Sequence, residues 1–258
     1  MADTSITPMI QLRAVSKHYG SHTAVADLDL SVPAGEVFGF IGPYGAGKTT
    51  TIKMLGGILA PSQGRVQIAG FDMARHPVEA KRRIGFIPDR PYLYEKLTAR
   101  EFMRFTADVY RLREAVFRER AIPLLEQFAL GDWVDELIES FSHGMKQRLI
   151  MCAALLHDPE VIVVDEPMVG LDPVAIRMVK SLFCDLADRG VAVFMSTHTL
   201  AVAQDICHRI GIIHRGRLIA EGTVDDLQRA AGVAAADLEA VFLNLTQPKP
   251  GPEDVDHP

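Results

Sequence analysis

Apolar residues follow two patterns along this chain. In Ile10–Val15 and Leu28–Val32 they alternate with polar ones, which predicts two strands each with one buried face. Val37–Ile41 is a near-continuous apolar run, the pattern of a strand covered on both faces. Further short strands are predicted at Arg65–Ala69, Ile84–Pro88, Val161–Asp165, Val191–Ser196 and Ile210–His214. Helical periodicity falls on Thr49–Leu59, Pro173–Asp188 and Leu200–Ile206. Strands alternating with helices predict an α/β fold with a largely parallel sheet.

The stretch from about Asp89 to His157 interrupts that alternation. Thr98 and Glu101 form a capping-box pattern ahead of a helix running to about Arg111. A second helix is predicted at Glu114–Phe128, with Gly131 after its end. A third starts near Ser142 and runs through Leu156. The reading is an all-helical insert, about residues 89–157, in an α/β core. Residues 247–258 are Pro-rich and acidic and read as a disordered tail.

Composition narrows the class. The 258 residues are 48% hydrophobic and 23% charged, enough for a substantial core without disulfides or metals. This excludes a wholly disordered, collagen-like or coiled-coil chain. The net charge of −6 disfavours a generally basic nucleic-acid binder. Cys152, Cys184 and Cys207 lie far apart without a CxxC pair and read as apolar core residues in a reducing compartment. No N-terminal signal pattern is visible, and no apolar run reaches the ~18 residues of a membrane span. A soluble or peripheral protein is expected, with any membrane crossing left to another polypeptide.

The chemistry concentrates in two places. Gly42, Pro43, Tyr44, Gly45, Ala46, Gly47, Lys48 and Thr49 match GxxxxGK[ST], followed by Thr50. The motif follows a buried strand and opens a helix, the context a phosphate-binding loop needs. Its backbone N–H groups can wrap a phosphate at a helix N-terminus. Lys48, expected in an open loop, would reach the β- and γ-phosphates, and Thr49 would ligate Mg²⁺. Val161–Val164 then lead into Asp165 and Glu166. An acid at the C-terminal end of a parallel strand points into the binding crevice. Asp165 would hold Mg²⁺ through water, and Glu166 is placed to act as general base on an attacking water.

With these motifs the chain resembles the nucleotide-binding subunit of ATP-binding cassette (ABC) transporters, over roughly Ile10 to Leu245. Tyr19 in KHYG matches the aromatic that stacks on adenine. Ser142-His143-Gly144-Met145 sits where the family carries its SGGQ-type signature. Gly170-Leu171-Asp172-Pro173 resembles the D-loop, and Ser196-Thr197-His198 the switch histidine. The resemblance implies a P-loop NTPase core with an N-terminal antiparallel β-subdomain and an inserted α-helical subdomain, over residues 9–246. It implies that Ser142 and Gly144 face the γ-phosphate bound on a partner subunit. Asp172 would bridge the two sites, and His198 would contact the γ-phosphate and orient the water.

Three positions depart from the family pattern. Tyr44 replaces the common Asn, Asp89 stands at the usual Q-loop glutamine, and His143 and Met145 replace Gly and Gln. Phosphate binding should survive the first, since the loop works through its backbone. Asp89 can still ligate Mg²⁺. An SHGM signature with an Asp Q-loop resembles ABC-2-type exporter ATPases. What the resemblance implies is an ATPase using ATP and Mg²⁺, paired head to tail with a second ATP-binding subunit. It would energise an integral-membrane permease from the cytoplasmic face of the membrane. An ATP-dependent clamp on DNA or the ribosome fits less well: the insert is only ~70 residues with no sustained heptad pattern, and the chain has one cassette. A feebly hydrolysing regulatory subunit is disfavoured by the presence of both Glu166 and His198.

Overall fold

The computed structural model describes residues 8–232 and 237–246. The expected tail at 247–258 lies outside the described residues.

Alternating segments build one sheet and continuous apolar segments another. The first strands, β1 (Ile10–Tyr19) and β2 (His22–Val32), pair antiparallel. After β3 (Val37–Ile41) and α1 (Lys48–Leu55) the chain returns in β4 (Gln63–Ile68) and β5 (Phe71–Asp72), closing a four-stranded antiparallel sheet of order β2-β1-β4-β5. A short α2 (Pro77–Lys81) leads into β6 (Ile84–Ile87). Three helices follow: α3 (Ala99–Val109), α4 (Glu114–Gln127) and α5 (His143–Leu155). The chain then alternates through β7 (Val161–Asp165), α6 (Pro173–Asp188), β8 (Ala192–Thr197), α7 (Leu200–Ile206) and β9 (Arg209–His214). It continues with β10 (Arg217–Gly222), α8 (Val224–Ala231) and α9 (Leu238–Thr246). The second sheet has the order β10-β9-β3-β8-β7-β6 and is parallel except for the β9–β10 hairpin.

Every residue of β3, β7 and β8 is buried, because this sheet is covered on both sides. Successive side chains go to opposite faces. Phe38, Phe40, Val161, Val163 and Phe194 pack with α1 and the antiparallel sheet. Val37, Ile162, Val164, Val193 and Met195 pack with α5, α6 and the helical insert. Phe194 stands between Phe38 and Phe40 at ring separations of 5.6 and 5.3 Å. Truncating such a ring to Ala typically costs about 3–5 kcal/mol. A third cluster joins Ile41, Ile210 and Ile212 to α7, α8 and α9.

The insert forms as its caps predict. Thr98 and Glu101 make both hydrogen bonds of a capping box. The end of α4 differs from the glycine reading: the left-handed residue after the helix is Ala129, with φ 53°, and Gly131 begins a short 3₁₀ turn. Cys152 is buried, as expected, but Cys184 and Cys207 are only half-buried. Among the described residues no helix is long and apolar enough to cross a membrane.

Candidate functional site

The C-terminal ends of β3 and β7 open into a cleft of about 460 Å³. It is lined by Tyr19, His22, Ala24, Tyr44, Gly45, Gly47, Lys48, Thr49, Thr50, Asp89, Asp165 and Glu166. Residues from four separate stretches of chain therefore converge there. His22 and Ala24 carried no signal in the sequence; they arrive because β2 passes beside the loop.

The loop from Gly42 to Gly47 is shaped by backbone contacts. Gly47, the N-cap of α1, has φ 112°, and a Cβ there would lie 2.6 Å from the Ala24 carbonyl oxygen. Only glycine fits that combination. Lys48 is not in an open loop, as expected from sequence, but is the first residue of α1 and 8% exposed. Its Nζ donates to the Gly42 carbonyl at 2.6 Å and to the Pro43 carbonyl at 3.2 Å. The ammonium thus folds back under its own loop. Burial pushes its pKa below the usual lysine value, while the Glu166 and Asp165 carboxylates oppose that shift.

Asp165 ends β7 nearly buried, at 3% exposure, and accepts a hydrogen bond from the Ser196 hydroxyl on neighbouring β8. Burial pushes its pKa up; the Ser196 and Thr49 hydroxyls pull it back, and the negative charges of Asp89 and Glu166 push it further up. A site that strains to hold its own negative charge is suited to a cation. The donors are hard oxygens, one hydroxyl and two carboxylates, which suits Mg²⁺ completed by water and phosphate oxygens. Among the described residues no cluster of three or more His, Cys, Asp or Glu forms a metal cage. Mg²⁺ does not need one, since it usually keeps waters and substrate phosphates as ligands.

Glu166 takes a left-handed backbone conformation, φ 50°. For a non-glycine residue this costs on the order of 1–2 kcal/mol. The turn aims its carboxylate across to the end of β8. There Oε2 lies 2.8 Å from His198 Nδ1 and accepts the His198 backbone N–H at 3.3 Å. His198 is exposed rather than a satisfied buried histidine. Its ring also lies 5.8 Å from that of Tyr44. Tyr19 is half exposed at the mouth of the cleft, with Lys17 Nζ 5.4 Å from its ring centre.

Ser142, Gly144 and Asp172 do not line this cleft. Ser142 is the N-cap of α5, accepting from the Met145 N–H at 3.3 Å. Asp172 is the N-cap of α6, accepting from Val174 and Ala175 at 2.9 and 2.8 Å. The two helix starts touch: a Cβ on Gly144 would lie 3.2 Å from the Gly170 carbonyl, and the His143 ring packs directly on Gly170. Ser142, His143 and Asp172 are exposed together.

A family model described as ABC transporter matches residues 25–169. Linearmycin resistance ATP-binding protein LnrL of Bacillus subtilis (strain 168) is 37% identical over 237 residues, 92% of this chain and 76% of that protein. A solved structure described as an ATP binding subunit of an ABC transporter is 36% identical with TM-score 0.89, covering 93% of this chain and 100% of the other. The dimeric ATP-binding cassette MJ0796, solved in a post-hydrolysis state bound to ADP and Pi, is 26% identical with TM-score 0.75. That match covers 84% of this chain and 99% of the other.

Proposed function

Because this chain belongs to the ABC transporter family as an ATP-binding and ATP-hydrolysing subunit, we propose that its cleft is one half of a hydrolytic site and that the starts of α5 and α6 are the other half of a second site. The observation that carries this reading is the division of the candidate residues. Lys48, Thr49, Asp89, Asp165 and Glu166 share one cleft, whereas Ser142, Gly144 and Asp172 lie outside it.

Tyr19 offers its ring face to adenine at the cleft mouth. The loop N–H groups and the start of α1 receive the phosphates. Lys48 exchanges the Gly42 and Pro43 carbonyls for phosphate oxygens, a trade of dipoles for a full charge that favours the bound state. Thr49, Asp165 and Asp89 would hold Mg²⁺, which supplies charge neutralisation on the phosphates. Glu166 takes the proton of the attacking water as general base, and His198 fixes the water and the γ-phosphate geometry. These two side chains lie against each other, Glu166 Oε2 2.8 Å from His198 Nδ1. That alignment sets the base and the histidine side by side for the same water and γ-phosphate.

The exposed N-termini at Ser142 and Asp172 suit a γ-phosphate presented by a second ATP-binding subunit in a head-to-tail pair. The dimeric relative bound to ADP and Pi supports pairing. ATP then favours the closed dimer because its γ-phosphate is bound by both chains, and hydrolysis removes that preference. The membrane work falls to a permease partner at the cytoplasmic face. Export of the ABC-2 type is supported by the relative named for linearmycin resistance and by the SHGM and Asp89 pattern.

Mixing variants tests the shared site. Lys48→Ala and Ser142→Ala chains should each be nearly inactive alone. An equimolar mixture should regain about a quarter of wild-type turnover, since half the pairs are mixed and each holds one intact site. Failure to regain any activity would remove the two-copy site. The metal role of Asp89 has its own check. Asp89→Asn should raise the Mg²⁺ needed for half-maximal ATPase several-fold, and titrations that superimpose on wild type would make Asp89 a solvated loop acid.

A further inference from the structure

Tyr44 is the one large side chain on the phosphate loop, and phosphate binding does not require it. It projects from between Pro43 and Gly45 with 86% of its surface exposed. Its ring nevertheless has two neighbours. The His198 ring lies 5.8 Å away at an interplanar angle of 35°. Lys48 Nζ lies 5.8 Å from the ring centre. The first of these contacts joins the loop after β3 to the end of β8.

His198 needs such a neighbour. It sits just past β8, exposed, and its side chain is 44% accessible. Its Nδ1 lies 2.8 Å from one oxygen of Glu166, and its own backbone N–H donates to that same oxygen at 3.3 Å. A partner at Nδ1 fixes one end of the imidazole but leaves the ring free to tip. A tilted aromatic ring beside it limits that freedom. A contact of this kind biases a rotamer population by roughly two- to tenfold.

We infer that Tyr44 is a positioning residue for His198, its ring bracing the imidazole from the phosphate-loop side so that it stays aligned with Glu166. This rests on the reading in which Glu166 and His198 act on the attacking water. The ring supplies the effect, and the phenol hydroxyl has no part in it. A polar or small residue at position 44 would leave the loop amides in place and the phosphates bound, yet release the histidine. Tyr44 therefore acts on turnover rather than on nucleotide affinity.

Steady-state Mg-ATP hydrolysis by the full chain separates these outcomes, with wild type compared against Tyr44→Ala and Tyr44→Phe. The Ala variant should lose about five- to tenfold in kcat with KM for ATP changed less than twofold, the signature of lost alignment rather than lost binding. The Phe variant should regain most of that turnover. The His198 imidazole NMR signals of the nucleotide-free chain should move in Tyr44→Ala and return toward wild type in Tyr44→Phe. An unchanged kcat, a rise in KM alone, or a Phe variant as poor as Ala would overturn the inference. Unmoved His198 signals in Tyr44→Ala would overturn it as well, and this readout does not depend on hydrolysis. A wild-type chain without ATPase activity would instead count against the assigned roles of Glu166 and His198.

Discussion

The end of the parallel sheet and the helical insert solve opposite problems with the same chain. At the sheet, chemistry is carried by buried groups at strand ends: Asp165 is 3% exposed and Lys48 8%. Their positions are set by the β3, β7 and β8 ladder and by packing around Phe194. In the insert, Ser142, the proposed contact to a γ-phosphate on a second subunit, stands exposed with His143 at a helix start. The ion pairs around them lie at the surface: Arg100 with Asp135, Arg104 with Glu114, and Lys146 with Glu95. In the proposed function, one region completes its half of a site internally, and the other presents its half outward to a second molecule. Electrostatics follows the same division, since burial shifts the pKa values of Lys48 and Asp165, and surface pairing shifts those of Glu114 and Asp135.

The largest test of this contrast is Glu166→Gln. Removing the general base from the pre-assembled half should slow hydrolysis by about 10²-fold or more. Nucleotide binding should persist, and the ATP-bound pair should accumulate in sedimentation. Near-normal turnover would mean that the sheet end does not hold the base.

A middle-sized effect is expected at the seam between the regions. His157, just after α5, stacks on Tyr110 at 3.7 Å, and its Nε2 lies 3.0 Å from the Ile84 carbonyl at the start of β6. Burial lowers its pKa from 6.5 to about 4. The unfolded chain then takes up a proton before the folded one, so this stability is present above the unfolded value and is lost as pH falls from about 6.5 towards 4. Between pH 7 and 5 the loss from this group is about 2 kcal/mol. Urea unfolding at both pH values should show it, and His157→Asn should flatten the difference. An unchanged pH slope in that variant would mean that the seam is held by packing alone.

The smallest effect belongs to the insert surface. Arg100 and Asp135 pair at 2.7 Å with side chains 48% and 74% exposed. Arg100→Ala should cost no more than about 1 kcal/mol, the upper end for exposed pairs, because this pair is bidentate. A loss of several times that in thermal unfolding would show that the insert relies on its surface charges and would blur the contrast with the sheet.

How much of this could be read from the sequence depends on what held each element. Val37–Ile41 and Val161–Asp165 are legible to the residue because both faces are buried, and Pro173–Asp188 because Asp172 caps it; Leu200–Ile206 is legible from its apolar spacing alone. The strands of the antiparallel sheet read short. β1 continues through Ser16, Lys17 and His18 to Tyr19 on backbone pairing with register shifts, and polar residues at such a ladder give no apolar pattern. β10 and α9 give no clear apolar pattern and are held by packing on β9 and α7, whereas α8 has a legible start in the Thr223–Asp226 capping box. At the site, loop and acid motifs located Lys48, Asp165 and Glu166. The retracted ammonium, the Glu166–His198 pair and the Tyr44 contact are products of tertiary geometry and have no linear signature.

The contact between His143 and Gly170 gives the chain a direction in which it can diverge. Gly170 has φ +76°, and a Cβ there would lie 2.9 Å from His143 Nε2. Two independent barriers therefore guard position 170, one in its own backbone and one in its neighbour's ring. Position 143 has only the second to respect. Replacing His143 by something smaller loses a contact, whereas replacing Gly170 meets both barriers at once. Relaxing the histidine first removes one barrier and leaves the other standing. Substitution at this junction therefore meets less resistance on the signature side than at position 170.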